Sequence, residues 1–173
     1  GLQLSLVSFL VTYLTASIAY TLVAAGLMLT VAQVGGTVGR IAFGAIADRT
    51  RRPMRVLGGV GAGMALCAFA TAFFSPGTPS AWVATVCAVF GATAIGWNGV
   101  FLAQVARFAP AGEASAATAG ALFFTYGGVV VFPTLFALLV ESGAGYAVAF
   151  LVCAIPAAAC ALWLLARNLD AVP

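Results

Sequence analysis

Long apolar runs, broken only by short polar or charged stretches, are the feature that most narrows what this chain can fold into. They cover residues near 2–19, 22–47, 54–74, 81–106, 115–140 and 146–167. A bilayer hydrocarbon core of about 30 Å is crossed by roughly 20 apolar residues in a helix, so each run has about the length of one span. Only 6% of the 173 residues are charged and 64% are apolar, and one water-soluble core cannot hide that much apolar surface. Lipid is the expected solvent. Backbone N–H and C=O groups in hydrocarbon must be satisfied within their own segment, and runs this long, rich in Gly and Ala, suit helices rather than the roughly ten-residue alternating strands of a barrel. The expectation is an all-α membrane protein, a single bundle over residues 1–173 of six transmembrane helices with no separate soluble domain.

The seven basic residues are all arginines. Arg49, Arg51, Arg52 and Arg55 follow the second run, Arg107 the fourth and Arg167 the sixth, whereas the breaks after the first, third and fifth runs carry no arginine and only Glu141 as a charge. Cytoplasmic loops collect arginine, so both chain ends are expected in the cytoplasm. Arginines gathered in three places, rather than along a face that could follow phosphates, exclude nucleic acid as a partner. The chain starts at Gly1 with no Met and no charged leader, and is read as a fragment rather than as opening on a cleavable signal.

Polar side chains sort the runs further. Runs one, two, four and five carry them, while run three has chiefly Thr71 and run six only cysteines; the last two are expected to face lipid. Two polar helices followed by a plain one, twice over, is what a nested three-plus-three inverted repeat produces. Gln33, Thr37 and Arg40 fall at i, i+4 and i+7 on one stripe of the second run. Arg40 precedes Asp48 by eight residues, about 12 Å deeper at 1.5 Å per residue. A guanidinium there costs roughly 2.5–3.5 kcal/mol unless it meets protein or water. It either belongs to a pathway or gate, or snorkels to the headgroups. Ser5, Ser8, Thr12 and Thr15 repeat the pattern in run one, Thr118, Thr125 and Tyr126 in run five, and Trp97, Asn98 and Gln104 in run four. These groups line a cavity, or bond their own backbones and bridge helices. Gly35, Gly39 and Ala42, with Gly59 and Gly63, have the spacing of close helix packing, and Gly127, Gly128 and Pro133 are expected to weaken or bend run five.

Several chemistries are expected to be absent. Cys67, Cys87, Cys153 and Cys160 lie within apolar runs without CxxC spacing, and the chain has no histidine, so no metal or other cofactor is expected and the thiols read as small core hydrophobes. The acids Asp48, Glu113, Glu141 and Asp170 sit at run ends or in breaks, which leaves no deep carboxylate for proton coupling. Enzyme activity would need a nucleophile with its base, paired carboxylates or metal ligands at depth, and none is present.

The most specific motif is Gly44-Ala45-Ile46-Ala47-Asp48-Arg49-Thr50-Arg51-Arg52, running into Pro53-Met54-Arg55. It resembles the cytoplasmic loop signature of the major facilitator superfamily: a glycine, three residues, Asp-Arg, one residue, glycine, then basic residues. Arg51 stands where the second glycine is usual and Pro53 where a basic residue is usual, departures that suit the copy found in C-terminal halves. Gly96-Trp97-Asn98-Gly99 through Gln104-Val105-Ala106-Arg107 looks like the tenth helix of bacterial members. The resemblance implies one six-helix half of a transporter, the C-terminal one, in a bacterial inner membrane. It also implies that Gly44, Asp48, Arg49, Arg51 and Arg52 act at a cytoplasmic gate locking the two halves together. An aspartate at a helix C-terminus is disfavoured by the macrodipole and calls for a partner, which Arg49, Arg51 or Arg52 could supply.

The expected function is secondary active transport of a small solute by alternating access. Gln33, Thr37, Arg40, Trp97, Asn98 and Tyr126 would line the pathway, with Gln33, Asn98 and Tyr126 on the side meeting the missing half. The alternative is a non-transporting membrane receptor or scaffold subunit on the same fold, favoured if polar groups pair locally on each helix.

Overall fold

The computed structural model describes residues 1–167, so Asp170 lies outside the described residues. Those residues form six α-helices and no strand: α1 (Leu2–Ser17), α2 (Leu22–Thr50), α3 (Pro53–Ala72), α4 (Ser80–Phe108), α5 (Ala114–Glu141) and α6 (Gly145–Ala166). Local chemistry sets several of the ends. Thr21 caps α2 by accepting the Ala24 N–H at 3.2 Å, and Pro53, with no N–H to leave unpaired, opens α3. Five helices have the length and apolarity of a membrane span. The sixth, α1, has 16 residues, about 24 Å of helix, and its first turn lies beside Phe132 in the interior of α5.

Contacts between helices follow one rule. Exchanging α1, α2, α3 with α4, α5, α6 carries α2–α4 into α1–α5, α3–α4 into α1–α6, α1–α2 into α4–α5 and α2–α3 into α5–α6, all of which pack, while α3–α6 and α1–α4 map onto themselves. The directions agree as well. Gly35 and Gly39 meet Ala88 and Ala92, and Gly96 meets Gly39, so α2 and α4 run parallel. Gly1 lies beside Gly128 and Phe132, and Phe9 stacks on Phe136 at 4.5 Å, so α1 and α5 run parallel too. This is the packing that a three-plus-three repeat requires.

The α2–α4 seam is backbone against backbone. A Cβ added at Gly39 would fall 2.5 Å from the Ala92 carbonyl oxygen and one at Gly36 2.7 Å from Ile95 Cβ, while Cβ atoms at Gly35 and Gly91 would collide with the carbonyl oxygens of Ala88 and Ala32. Small residues permit this approach, which in lipid is stabilised by dispersion contacts rather than by expulsion of water. In α3 one of the two expected glycines makes a close contact: a Cβ added at Gly63 would fall 2.9 Å from Thr93 Cγ2 of α4. Gly59 has nothing within 4 Å of a built Cβ, whereas Gly58 faces Leu164 and Leu165, and Gly61 faces Ala161. One residue turns a side chain by about 100°, which is enough to move Gly59 off the α6 face.

The core gathers where α1, α5 and α6 converge with α3 and α4. Leu6, Leu10, Leu14, Phe90, Phe136 and Phe150 are fully buried, with Phe136 and Phe150 edge to face at 4.9 Å. Tyr13 joins them and donates its hydroxyl to the Thr71 carbonyl at 2.7 Å. Thr71 is therefore buried and does not face lipid as expected. Pro133 does not break α5, which continues to Glu141, and Thr134 beside it bonds the Val130 carbonyl at 2.8 Å.

Candidate functional site

The signature segment closes α2 and opens α3. Asp48 and Arg49 occupy the last helical turn, and Arg51 ends the helix with φ 53° and ψ 27°, its N–H bonded to the Ala47 carbonyl at 3.0 Å. That left-handed conformation is the usual reason for glycine just past a helix end, and it accounts for the glycine in the family pattern at this position. In an arginine it costs roughly 1–2 kcal/mol. Arg51→Gly is accordingly expected to stabilise the purified protein by about 1 kcal/mol, seen as a rise in thermal midpoint; a fall would mean that contacts of the Arg51 side chain outweigh the strain.

Beside this turn lies a cleft of about 590 Å³ between the ends of α2 and α4 and the start of α3. Gly44, Asp48 and Arg51 line it from α2, Pro53 from α3, and Gly99, Gln104 and Arg107 from α4. Arg49 and Arg52 are exposed but do not line it. Among the described residues Asp48 makes no ion pair with Arg49, Arg51 or Arg52, the partners that the sequence offers it. The left-handed turn carries the chain out of the helix before i+3 and i+4 neighbours can fold back onto the carboxylate.

Arg40 is exposed on α2. Its backbone is level with Gly96 of α4, but its Cγ would lie 3.9 Å from a Cβ on Gly99. The stem thus leans roughly 4.5 Å, three residues of rise, toward the arginine-bearing end and reaches the inner edge of the cleft. Gln33 and Thr37 are exposed on the same stripe, with the Thr37 hydroxyl donating to the Gln33 carbonyl at 3.2 Å.

The remaining candidates do not gather with these. Trp97 is half-buried and donates its indole N–H to Gln3 Oε1 at 3.3 Å, while the half-buried Asn98 amide donates to the Ile95 carbonyl of its own helix at 3.3 Å. Tyr126 is 64% exposed on α5, among exposed Phe123 and Phe124. On α1 the hydroxyl stripe divides: Ser8 and Thr12 are exposed, but Ser5 is fully buried beside Cys153. Threonines bond mostly within their own helices, as Thr15 does with Val11, Thr118 with Ala114 and Thr125 with Ala121.

Two participants escaped the sequence reading. Gln3, the partner of Trp97, carries no periodic signal. Arg107 belongs to the loop charges and to the tenth-helix resemblance but not to the expected site, although Gly99, Ala103 and Arg107 at i, i+4 and i+8 place two small residues and a cation on one face of α4. Compared with known protein families, residues 1–172 match the model described as Major Facilitator Superfamily. No curated protein and no solved structure matches significantly.

Proposed function

Because this chain belongs to the major facilitator superfamily, a family of membrane transporters of small solutes, we propose that it forms one half, the C-terminal one, of a secondary active transporter working by alternating access. The observation that carries this reading is Arg40: a guanidinium about 12 Å inward from Asp48, exposed on an otherwise apolar helix and without a hydrogen bond or ion pair among the described residues. Lipid cannot cover it cheaply. A second half enclosing a watery path covers it without that cost, and the same argument holds for the exposed Gln33 amide.

In this reading Gln33, Thr37 and Arg40 line the path, with Trp97, Asn98 and Tyr126 as further wall residues. Gly44, Asp48, Arg49, Arg51 and Arg52 form the cytoplasmic gate. Asp48, Arg49, Arg51 and Arg52, which form no ion pair among the described residues, are then available to the other half when the gate closes. The arginine-rich end faces the cytoplasm of a bacterial cell, with both chain ends on that side. The local bonding of the threonines favours the second reading, a non-transporting receptor or scaffold; against it, Gln33, Arg40 and Gln104 keep their donors unspent among the described residues.

Uptake decides between the two. The protein with its partner half, reconstituted in proteoliposomes and offered sugars, amino acids and organic anions, is expected to accumulate at least one class, and Arg40→Ala to lower that uptake at least tenfold, as loss of a charge-assisted contact does. Unchanged uptake of every accepted solute in Arg40→Ala removes Arg40 from the path, and no uptake of any solute by the unmodified protein favours the scaffold.

A further inference from the structure

The cleft at the arginine-bearing end holds more positive charge than a gate pairing Asp48 with one arginine requires. Arg51 and Arg107 line it with Asp48 as the one carboxylate, and the stem of Arg40 reaches its inner edge. None of these four charged groups is ion-paired among the described residues. A second observation is independent of the charge count: Arg51 sits in a left-handed backbone conformation, φ 53°, that glycine would adopt without strain. A cation stands where the backbone favours glycine, and it lines the cleft. Strained backbone of this kind clusters at functional sites.

We propose that this cleft is a binding site for a small oxyanion, a carboxylate or phosphate group. The guanidinium forks of Arg51 and Arg107 bind its oxygens, geometry that an arginine offers bidentately and a lysine does not. The Gln104 amide donates beside them, and Arg40 receives the anion at the inner edge. The volume, about 590 Å³, lies within the range of small-ligand sites. The inference rests on the reading of this end as the watery mouth of the solute path. The same chemistry is offered by a soluble anion entering that path and by the headgroup of an anionic lipid.

The test is thermal stability of the purified protein with its partner half, titrated with inorganic phosphate and with succinate at constant ionic strength, so that general screening is held fixed. Wild type is expected to show a saturable rise in midpoint that chloride does not produce. Arg51→Gly, which relieves the backbone strain and so keeps the fold, is expected to weaken the apparent affinity about tenfold or more, as is Arg107→Gln, while Arg51→Lys restores part of the loss. Repeating the titration in nanodiscs identifies the source: a phosphate response equal in phosphatidylcholine and phosphatidylglycerol assigns the site to a soluble anion, and one abolished by phosphatidylglycerol assigns it to a headgroup. Equal responses in wild type, Arg51→Gly and Arg107→Gln, or no response to phosphate, succinate or phosphatidylglycerol, overturn the proposal. Binding without uptake of any solute would leave the site standing and remove the transport reading; uptake of neutral solutes without anion binding would do the reverse.

Discussion

Gly91→Leu is expected to leave little correctly packed protein. Gly91 is buried on α4, and a Cβ there would collide with the carbonyl oxygen of Ala32, itself 1% exposed, on α2. Overpacking a tight core typically costs 1–3 kcal/mol. Here the obstruction is a backbone carbonyl that cannot rotate aside, and Gly35, Gly36 and Gly39 on the same seam are equally close to α4, so the helices have no room to slide. A loss of about 3 kcal/mol or more is expected, read as a lowered thermal midpoint and a broadened gel-filtration peak in detergent. Gly59→Leu is the control: a Cβ there meets nothing within 4 Å, and the change should stay within about 0.5 kcal/mol. Equal damage at both positions would mean that the α2–α4 seam is not what holds this side of the bundle together.

Phe150→Ala is expected to be almost as damaging for the opposite reason, too little side chain rather than too much. Phe150 is fully buried on α6, with ring centroids of Phe136, Tyr13 and Phe90 at 4.9, 5.5 and 6.4 Å. Its removal opens a cavity where four helices meet, and phenylalanine-to-alanine changes in such cores cost 3–5 kcal/mol. Because helix association in lipid depends on contact and not on water expulsion, nothing replaces the lost neighbours unless α6 shifts, which the α3–α6 contacts at Gly58 and Gly61 resist. Phe124→Ala removes a side chain that is 80% exposed and is expected to change stability by no more than about 0.5 kcal/mol. Thermal midpoints of the two variants in one detergent check the contrast; similar losses would argue that the aromatic cluster is not the core.

The site was legible only in part. Gly44, Asp48 and Arg51 were found because the signature lies in a continuous stretch, and the glycine pattern also marked position 51, where the arginine's left-handed backbone shows why the pattern exists. Arg107, some 56 residues further on by numbering, stood among the loop charges and the tenth-helix resemblance but outside the expected site, since nothing in the order of residues says that α4 returns to the same cleft. Ser5 was grouped with Ser8 and Thr12 by spacing, yet it is buried while they are exposed. A periodic stripe reports one angle along the whole helix, whereas neighbours cover that angle at some depths and not at others.

The sequence by itself determined that this chain is an all-helical membrane protein, where its helices lie, and that its arginines gather at one end. Hydropathy, backbone satisfaction in hydrocarbon and charge placement are local or additive along the chain, so they can be read from order alone. Only the tertiary structure decided that Gly58 and Gly61 rather than Gly59 face α6, that Trp97 turns to Gln3, and that Arg51 and Arg107 line one cleft with the Arg40 stem beside Gly99 at its edge. Those outcomes depend on the angle and depth at which two helices meet, and a single residue's step of about 100° separates a buried contact from an exposed one.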